Sequence, residues 1–131
     1  MAGCDVPQRY VALVRAGRYE DLAGLFAEDA VFHNPLGDVL RGRDAIGAFY
    51  TGFLTQLKPD VRGVRHVWDE AARVCVFELE SRMSRSPDGG WVNDPEADYS
   101  LSALDRMEIN GEGLIQEMTV YMAPANRWQG N

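Results

Sequence analysis

The sequence has few of the residues that metal and disulfide chemistry require. It contains two histidines, His33 and His66, and two cysteines, Cys4 and Cys75. The histidines lie 33 residues apart with no cysteine nearby, which matches no usual metal-ligand spacing. The cysteines form neither a close pair nor a metal-spaced set and are most simply free thiols, with a disulfide as the alternative. We therefore expect no metal and no other cofactor.

Basic charge and long apolar runs are also scarce. The formal net charge is -7 at pH 7. Nucleic-acid binding begins with clustered Lys and Arg that neutralise phosphates, so neither nucleic acid nor an anionic membrane is an expected partner. No apolar run approaches the ~20 residues that cross a bilayer, and the N-terminus lacks the charged-then-apolar pattern of a signal peptide. The expected location is the cytoplasm.

What is present is the composition of one ordinary folded domain. The chain has 131 residues, of which 46% are hydrophobic and 25% are charged. This length buries a single core but is too short for two, so we expect one domain over residues 1–131. The sequence contains no repeat, no low-complexity tract and no Gly-rich phosphate loop after a strand.

Helical patterns fill the first part of the chain. Asp5 is placed to cap a first helix that has Pro7 in its first turn and ends at Gly17. Tyr10 lies on the apolar face of this helix. The spacing of apolar residues predicts a second helix over residues 19–28.

A short strand and the strongest helical signal follow. The apolar run from Ala30 to Phe32 is too short for a helix and is halted by Pro35, which predicts a strand ending near Asn34. Residues 42–57 then have apolar side chains at i, i+3, i+4 and i+7, which predicts a third helix. Its apolar positions are Ile46, Phe49, Tyr50, Phe53, Leu54 and Leu57.

After Pro59 the period changes from helical to two, which is typical of strands. Asn110-Gly111 is a strong hairpin-turn signal, and residues 84–98 are expected to form a long connection. Helices followed by strands predict an α+β domain with three N-terminal helices packed on a curved, mainly antiparallel β-sheet that encloses a pocket. The predicted strands are 61–68, 73–83, 99–108 and 114–122.

Three segments carry a resemblance to a known family. They are QRYVALVRAGRYEDLAGLFAEDAVFHNPLG (8–37), RGRDAIGAFY (41–50) and DRMEING (105–111). Together they resemble the ketosteroid isomerases of the nuclear-transport-factor-2-like (NTF2-like, also SnoaL-like) superfamily. The resemblance implies a cone-shaped α+β fold, a homodimer and a hydrophobic small-molecule substrate or ligand.

The resemblance also implies roles for four residues. Tyr10 takes the place of the family's oxyanion-hole tyrosine and Asp105 that of its protonated aspartic acid. Tyr50 falls where the family can have a further tyrosine. The residue before the strand-ending proline is the family's general base, an aspartate, and here it is Asn34.

Asn34 changes the expected chemistry, because an amide is not a base at neutral pH. Isomerisation of a β,γ-unsaturated ketone needs a base beside the carbonyl as well as donors that hold the charge on its oxygen. Loss of a general base typically costs about 10²–10⁴ in rate. Donors without a base could still bind a carbonyl, phenol or enolate. They could also assist epoxide opening, elimination or cyclisation.

Three residues are candidates to replace the base. Asp38 follows the Pro-Leu-Gly turn and could reach the cavity mouth, although a solvated turn carboxylate is the simpler interpretation. His33 is next to Asn34 on a strand, so alternation points it to the opposite face. His66 lies in a strand whose register the sequence does not define.

The two predicted donors also have simpler interpretations. Tyr10 would be a core tyrosine, and Asp105 would be an edge carboxylate paired with Arg106 or Arg82. The hypothesis is an enzyme acting on a steroid-, polyketide- or terpenoid-like substrate, whose oxygen Tyr10 and Asp105 polarise and which Asn34 orients. The alternatives are a binding protein without turnover and an assembly module whose cavity is filled by side chains. The remaining site residues are expected to line the cavity, and they are Tyr50, Phe77, Met83, Tyr99, Leu101, Ala103, Met118 and Val120.

Overall fold

Helices and strands occupy separate parts of the chain in the computed structural model. It describes residues 4–85, 87–88, 91–96, 99–123 and 126–127, without the side chains of 85, 91, 99–101, 126 and 127. No helix in these ranges is long and apolar enough to cross a membrane. The elements are α1 (Val6–Arg15), a 3₁₀ helix (Tyr19–Leu25), β1 (Phe26–His33), β2 (Val39–Arg41), α2 (Arg43–Leu57), β3 (Val61–Asp69), β4 (Val74–Arg85), β5 (Trp91–Asn93), β6 (Tyr99–Ile109), β7 (Ile115–Met122) and β8 (Asn126–Arg127).

The strands form one curved, mostly antiparallel sheet. Its order is β2-β1-β7-β6-β4-β3, with β5 paired to β4 and β8 to β6. The pairing of β1 with β7 is parallel, whereas the other pairings are antiparallel. The predicted α+β class is therefore confirmed, and β7 and β6 lie at the centre of the sheet.

Helix α1 follows the sequence prediction in its bounds but not in its cap. Pro7 is in the first turn, Tyr10 is buried, and Gly17 ends the segment with a φ of 73°. Asp5 is at the N-cap position, yet its side chain makes no capping hydrogen bond. Its carboxylate instead lies 3.8 Å from the guanidinium of Arg9.

The predicted second helix is wrong beyond Leu25. Tyr19, Leu22 and Leu25 are spaced by three, which suits the three-residue turn of a 3₁₀ helix, and the helix stops there. Phe26 begins β1, and its carbonyl oxygen accepts hydrogen bonds of 2.7 and 2.9 Å from Arg43. Strand pairing across the sheet thus overrides the local helical pattern.

Strand β1 is bent between its two ends. Phe26 pairs with Ile115 of β7, whereas Val31 pairs with Glu117, so five residues of β1 oppose two of β7. The extra residues include the exposed Glu28 and Asp29. Such an irregularity bends a strand.

Residues 84–98 are not one long connection as predicted. β4 continues to Arg85 and β5 pairs back onto it, with Met83 opposite Asn93. Short strands of this kind, like β2 and β8, carry too little periodicity to be predicted. The Asn110-Gly111 hairpin is confirmed, but the positive φ of 81° belongs to Gly113.

Two glycines of α2 give opposite predictions for the same substitution. A Cβ atom on Gly47 would lie 2.9 Å from the Cβ of Ala23 in the 3₁₀ helix, whereas one on Gly52 would meet nothing within 4 Å. We expect Gly52→Ala to raise the free energy of unfolding by roughly 0.5–1 kcal/mol. Gly47→Ala should lower it by roughly 1 kcal/mol or more, because overpacking outweighs the helix propensity.

Urea denaturation of both variants gives the sign of the change in the free energy of unfolding for each substitution. Equal stabilisation by the two substitutions would contradict the close packing of α2 on the 3₁₀ helix.

Candidate active site

A cavity lies between the helices and the inner face of the sheet, and its wall is mostly apolar. The described polar residues in the wall are Tyr10, Tyr50, Ser81 and Asp105. The apolar lining residues are Phe32, Pro35, Phe49, Phe53, Leu54, Leu57, Pro59, Val61, Leu79, Met83, Ala103, Val120 and Met122.

Asp105 is held in the centre of the sheet with apolar neighbours along and across the strands. Its cross-strand partners are Phe77 of β4 and Val120 of β7. Strand alternation places Ala103 and Met107 on the same face of β6. The side chain is 3% exposed. Apolar residues thus lie next to Asp105 at each of these four positions.

Burial raises the pKa of Asp105 from 3.8 to about 8. Its Oδ1 atom is buried and has no hydrogen-bond partner among the described residues. Arg106 instead donates to Thr119, and Arg82 donates to the carbonyl oxygen of Pro95. Asp105 is therefore mostly a neutral acid at pH 7, with an O–H group that can be donated to a ligand.

Two tyrosines from different helices stand near this acid. The rings of Tyr10 and Tyr50 meet edge to face with centroids 6.0 Å apart, and the hydroxyl of Tyr50 donates to Met118 Sδ at 3.9 Å. Burial, chiefly, raises the pKa of both tyrosines, and the charge of Asp105 raises both further. Both hydroxyls stay protonated at neutral pH and can donate.

Asn34 is part of a turn and does not line the cavity. It is 5% exposed, and its Oδ1 accepts 2.9 Å hydrogen bonds from the backbone N–H groups of Leu36 and Asp38. Its Nδ2 donates to Asp38 Oδ2 at 3.3 Å. The turn uses both ends of the amide, so it is not directed at a substrate. Pro35, the next residue, does line the cavity.

The other candidate bases also lie outside the cavity wall. Asp38 is exposed in the same turn. His33 is half-buried and its Nε2 lies 2.8 Å from Glu117 Oε2, while His66 is exposed on β3. Among the described lining residues, Asp105 provides the single carboxyl group and there is no histidine.

The sequence predicted part of the cavity wall. Tyr50, Met83, Ala103 and Val120 line the cavity as expected. Phe77 and Met118 are buried behind it, against Tyr10 and Tyr50 respectively. Tyr99 and Leu101 belong to β6, but their side chains lie outside the described part of the chain. Apart from Tyr50, the residues by which α2 forms the wall were not predicted, although the 3.6-residue apolar stripe of this helix was the available signal.

The cavity is narrow. Its volume is about 70 Å³, against roughly 300–1,000 Å³ for sites that hold drug-sized ligands. Phe49 and Phe53 of α2 stack with centroids 5.5 Å apart and are only partly buried. Entry of a ligand of steroid size therefore requires the wall to open, and these rings can move at lower cost than the buried strands.

This fold and cavity belong to the NTF2-like class of cone-shaped domains. A family model of the SnoaL-like domain matches residues 8–118, and the chain belongs to that family. The chain is 29% identical over 120 residues to a steroid Δ-isomerase of Nocardioides simplex. The alignment covers 90% of this chain and 87% of the relative.

Solved structures share the fold at lower identity. The epoxide hydrolase/cyclase-like enzyme SalBIII, described for its role in pyran ring formation in the polyether salinomycin, has a TM-score of 0.74 and 19% identity. The match covers 95% of this chain and 94% of SalBIII. A steroid Δ-isomerase from Pseudomonas aeruginosa has a TM-score of 0.68 and 20% identity, with coverage of 91% and 77%.

The raised pKa of Asp105 predicts how ligand binding depends on pH. A ketone such as androst-4-ene-3,17-dione does not titrate, so any change of its dissociation constant with pH reports the protonation of the donor groups in the protein. We expect constant affinity well below pH 8 and weaker binding as the pH passes about 8, because ionised Asp105 can only accept hydrogen bonds. Tyr10, Tyr50 and Cys75 have raised pKa values and stay protonated there.

Asp105→Asn is the matched control, because it keeps a donor that does not titrate. Its ligand affinity should not change with pH, and a pH profile like that of the unchanged protein would contradict the assignment.

Unfolding gives a second readout. The folded state holds the Asp105 proton between about pH 4 and pH 8, so stability relative to Asp105→Asn should fall across that window and level off above it.

Proposed function

We propose that the protein is an enzyme that binds an apolar, oxygen-bearing molecule of steroid, polyketide or terpenoid type and polarises one of its oxygens. Tyr10 and neutral Asp105 are the donors, and Tyr50 supports them. The observation that carries this proposal is the buried, unpartnered Asp105 Oδ1 in an apolar cavity. The similarity to a steroid Δ-isomerase and to a cyclase-like enzyme supports the substrate class.

The two donors act on the charge that develops during the reaction. A ketone or epoxide oxygen accepts weakly in its ground state and more strongly as it becomes negative. In an apolar cavity that response is larger than in water, because the surroundings screen the charge less. The sheet and α1 fix the two donors before the substrate arrives, so the donors themselves do not have to reorganise during the reaction.

Acid-assisted opening of an epoxide fits this donor set better than isomerisation. Asp105 gives its proton to the epoxide oxygen as the carbon–oxygen bond breaks, while a hydroxyl of the substrate attacks the carbon. The attacking hydroxyl approaches from the face opposite the epoxide oxygen, so its proton goes to water, and the Asp105 carboxylate then takes a proton back from water. Isomerisation needs a separate base, and the described cavity wall contains no second carboxyl group and no histidine.

Removing either donor should weaken ligand binding. We expect Tyr10→Phe and Asp105→Leu each to raise the dissociation constant of equilenin, a fluorescent phenolic steroid, by about 10-fold to 100-fold. Hydrogen bonds to charged groups contribute about 1.5–3 kcal/mol, and about 1.4 kcal/mol corresponds to a factor of ten. The control is Tyr121→Phe, whose ring is 50% exposed outside the cavity.

The same variants then test turnover with a model epoxy alcohol that closes to a tetrahydropyran. Cyclisation that both donor substitutions abolish would support the enzyme. Binding without cyclisation would support the alternative of a binding protein. Unchanged equilenin affinity in both correctly folded variants would remove the proposal.

Restoring a carboxylate at the turn tests the isomerase alternative. Asn34→Asp keeps an acceptor for the N–H groups of Leu36 and Asp38, so the turn should hold the new side chain in place. We expect less than about a tenfold change in isomerisation of a Δ5-3-ketosteroid, against the 10²–10⁴ that a working base contributes. A gain of a hundredfold or more would show that the side chain reaches the substrate.

A further inference from the structure

We infer that Ser81 binds a second oxygen atom of the ligand, at the end opposite the oxygen that Tyr10 and Asp105 bind. The preferred substrate is then an elongated, apolar molecule that carries oxygen at both ends. This inference rests on the proposed function, which it deepens by assigning the other end of the same cavity.

Ser81 interrupts an otherwise apolar stripe of β4. Between Cys75 and Met83 the inward-facing residues are Cys75, Phe77, Leu79, Ser81 and Met83, and each of them is buried. Ser81 is 5% exposed and lines the cavity. No hydrogen bond of its side chain is found among the described residues. Its hydroxyl oxygen is accessible rather than fully buried, so this hydroxyl in an otherwise apolar stretch of wall can donate to a ligand atom.

The position of Ser81 separates it from the other polar groups of the wall. Tyr10 and Tyr50 are grouped with Asp105, whose cross-strand partner on β4 is Phe77. Ser81 lies four residues beyond Phe77 on the same strand. At about 3.3 Å per residue, the two positions are roughly 13 Å apart along the sheet.

The wall between the two ends is apolar. Leu79 and Ala103 are cross-strand partners that lie between Ser81 and Asp105, and Leu54 of α2 lines the same cavity. Once the wall has opened, a rigid hydrocarbon body of several fused or linked rings would lie along this stretch. Its first oxygen would meet Asp105 and Tyr10, and its second would accept a hydrogen bond from the hydroxyl of Ser81.

Two ligands that differ in one oxygen separate this role from simple packing. Equilenin has a phenol at one end and a ketone at the other, and 17-deoxoequilenin lacks the ketone. We expect the unchanged protein to bind equilenin about fivefold more tightly than 17-deoxoequilenin, as one neutral hydrogen bond allows. Ser81→Ala should remove that difference by weakening equilenin alone, and Ser81→Thr, which keeps a hydroxyl, should retain part of it.

Ser102→Ala is the control, because Ser102 is the neighbour of the inward-facing Ala103 and lies outside the cavity lining. Equal loss for both ligands in Ser81→Ala, or no loss for either, would overturn the role of Ser81. The proposed function fails separately, if Asp105→Leu leaves the affinity for both ligands unchanged while Ser81→Ala still distinguishes them.

Discussion

The structure depends on keeping one carboxyl group in apolar surroundings without a partner. A buried charge is costly unless it is paired, and an unpaired acid instead holds its proton. Asp105 is placed at the centre of the sheet, where strand pairing fixes the backbone and the side chain is 3% exposed in the wall of the apolar cavity. This burial lowers the stability of the folded state at neutral pH, and it leaves a protonated carboxyl group that can donate a hydrogen bond inside an apolar cavity.

The rest of the fold holds the other donors against this acid. Helix α1 brings Tyr10 over Phe77, with ring centroids 6.3 Å apart, and α2 brings Tyr50 against Tyr10. The bend in β1 and the turn after it close that side of the wall with Phe32 and Pro35. Asn34 contributes by holding the turn. A position that supplies a base in the resembled isomerases therefore has a structural role here.

Residue patterns predicted the features that depend on local periodicity. The apolar stripe of α2, the alternation that buries Asp105 beside Ala103 and Met107, and the positions of the four long strands after Pro59 all follow from spacings of 3.6 and two. Features set by distant pairing were not predictable. The 3₁₀ helix ends at Leu25 because Phe26 is recruited into the sheet. The role of Asn34 is local instead, because its amide oxygen accepts from the N–H groups of Leu36 and Asp38 in the turn that follows it, as Asn side chains commonly do in turns.

The direct test of this account is the pKa of Asp105 itself. Its side-chain carboxyl carbon can be followed by ¹³C NMR through a pH titration, with Asp105→Asn to assign the signal. The account predicts a midpoint near pH 8, so that the group is mostly protonated at pH 7. A midpoint near the ordinary value of about 4 would mean that Asp105 is ionised in the cavity, and it would contradict the donor role on which the proposed chemistry depends.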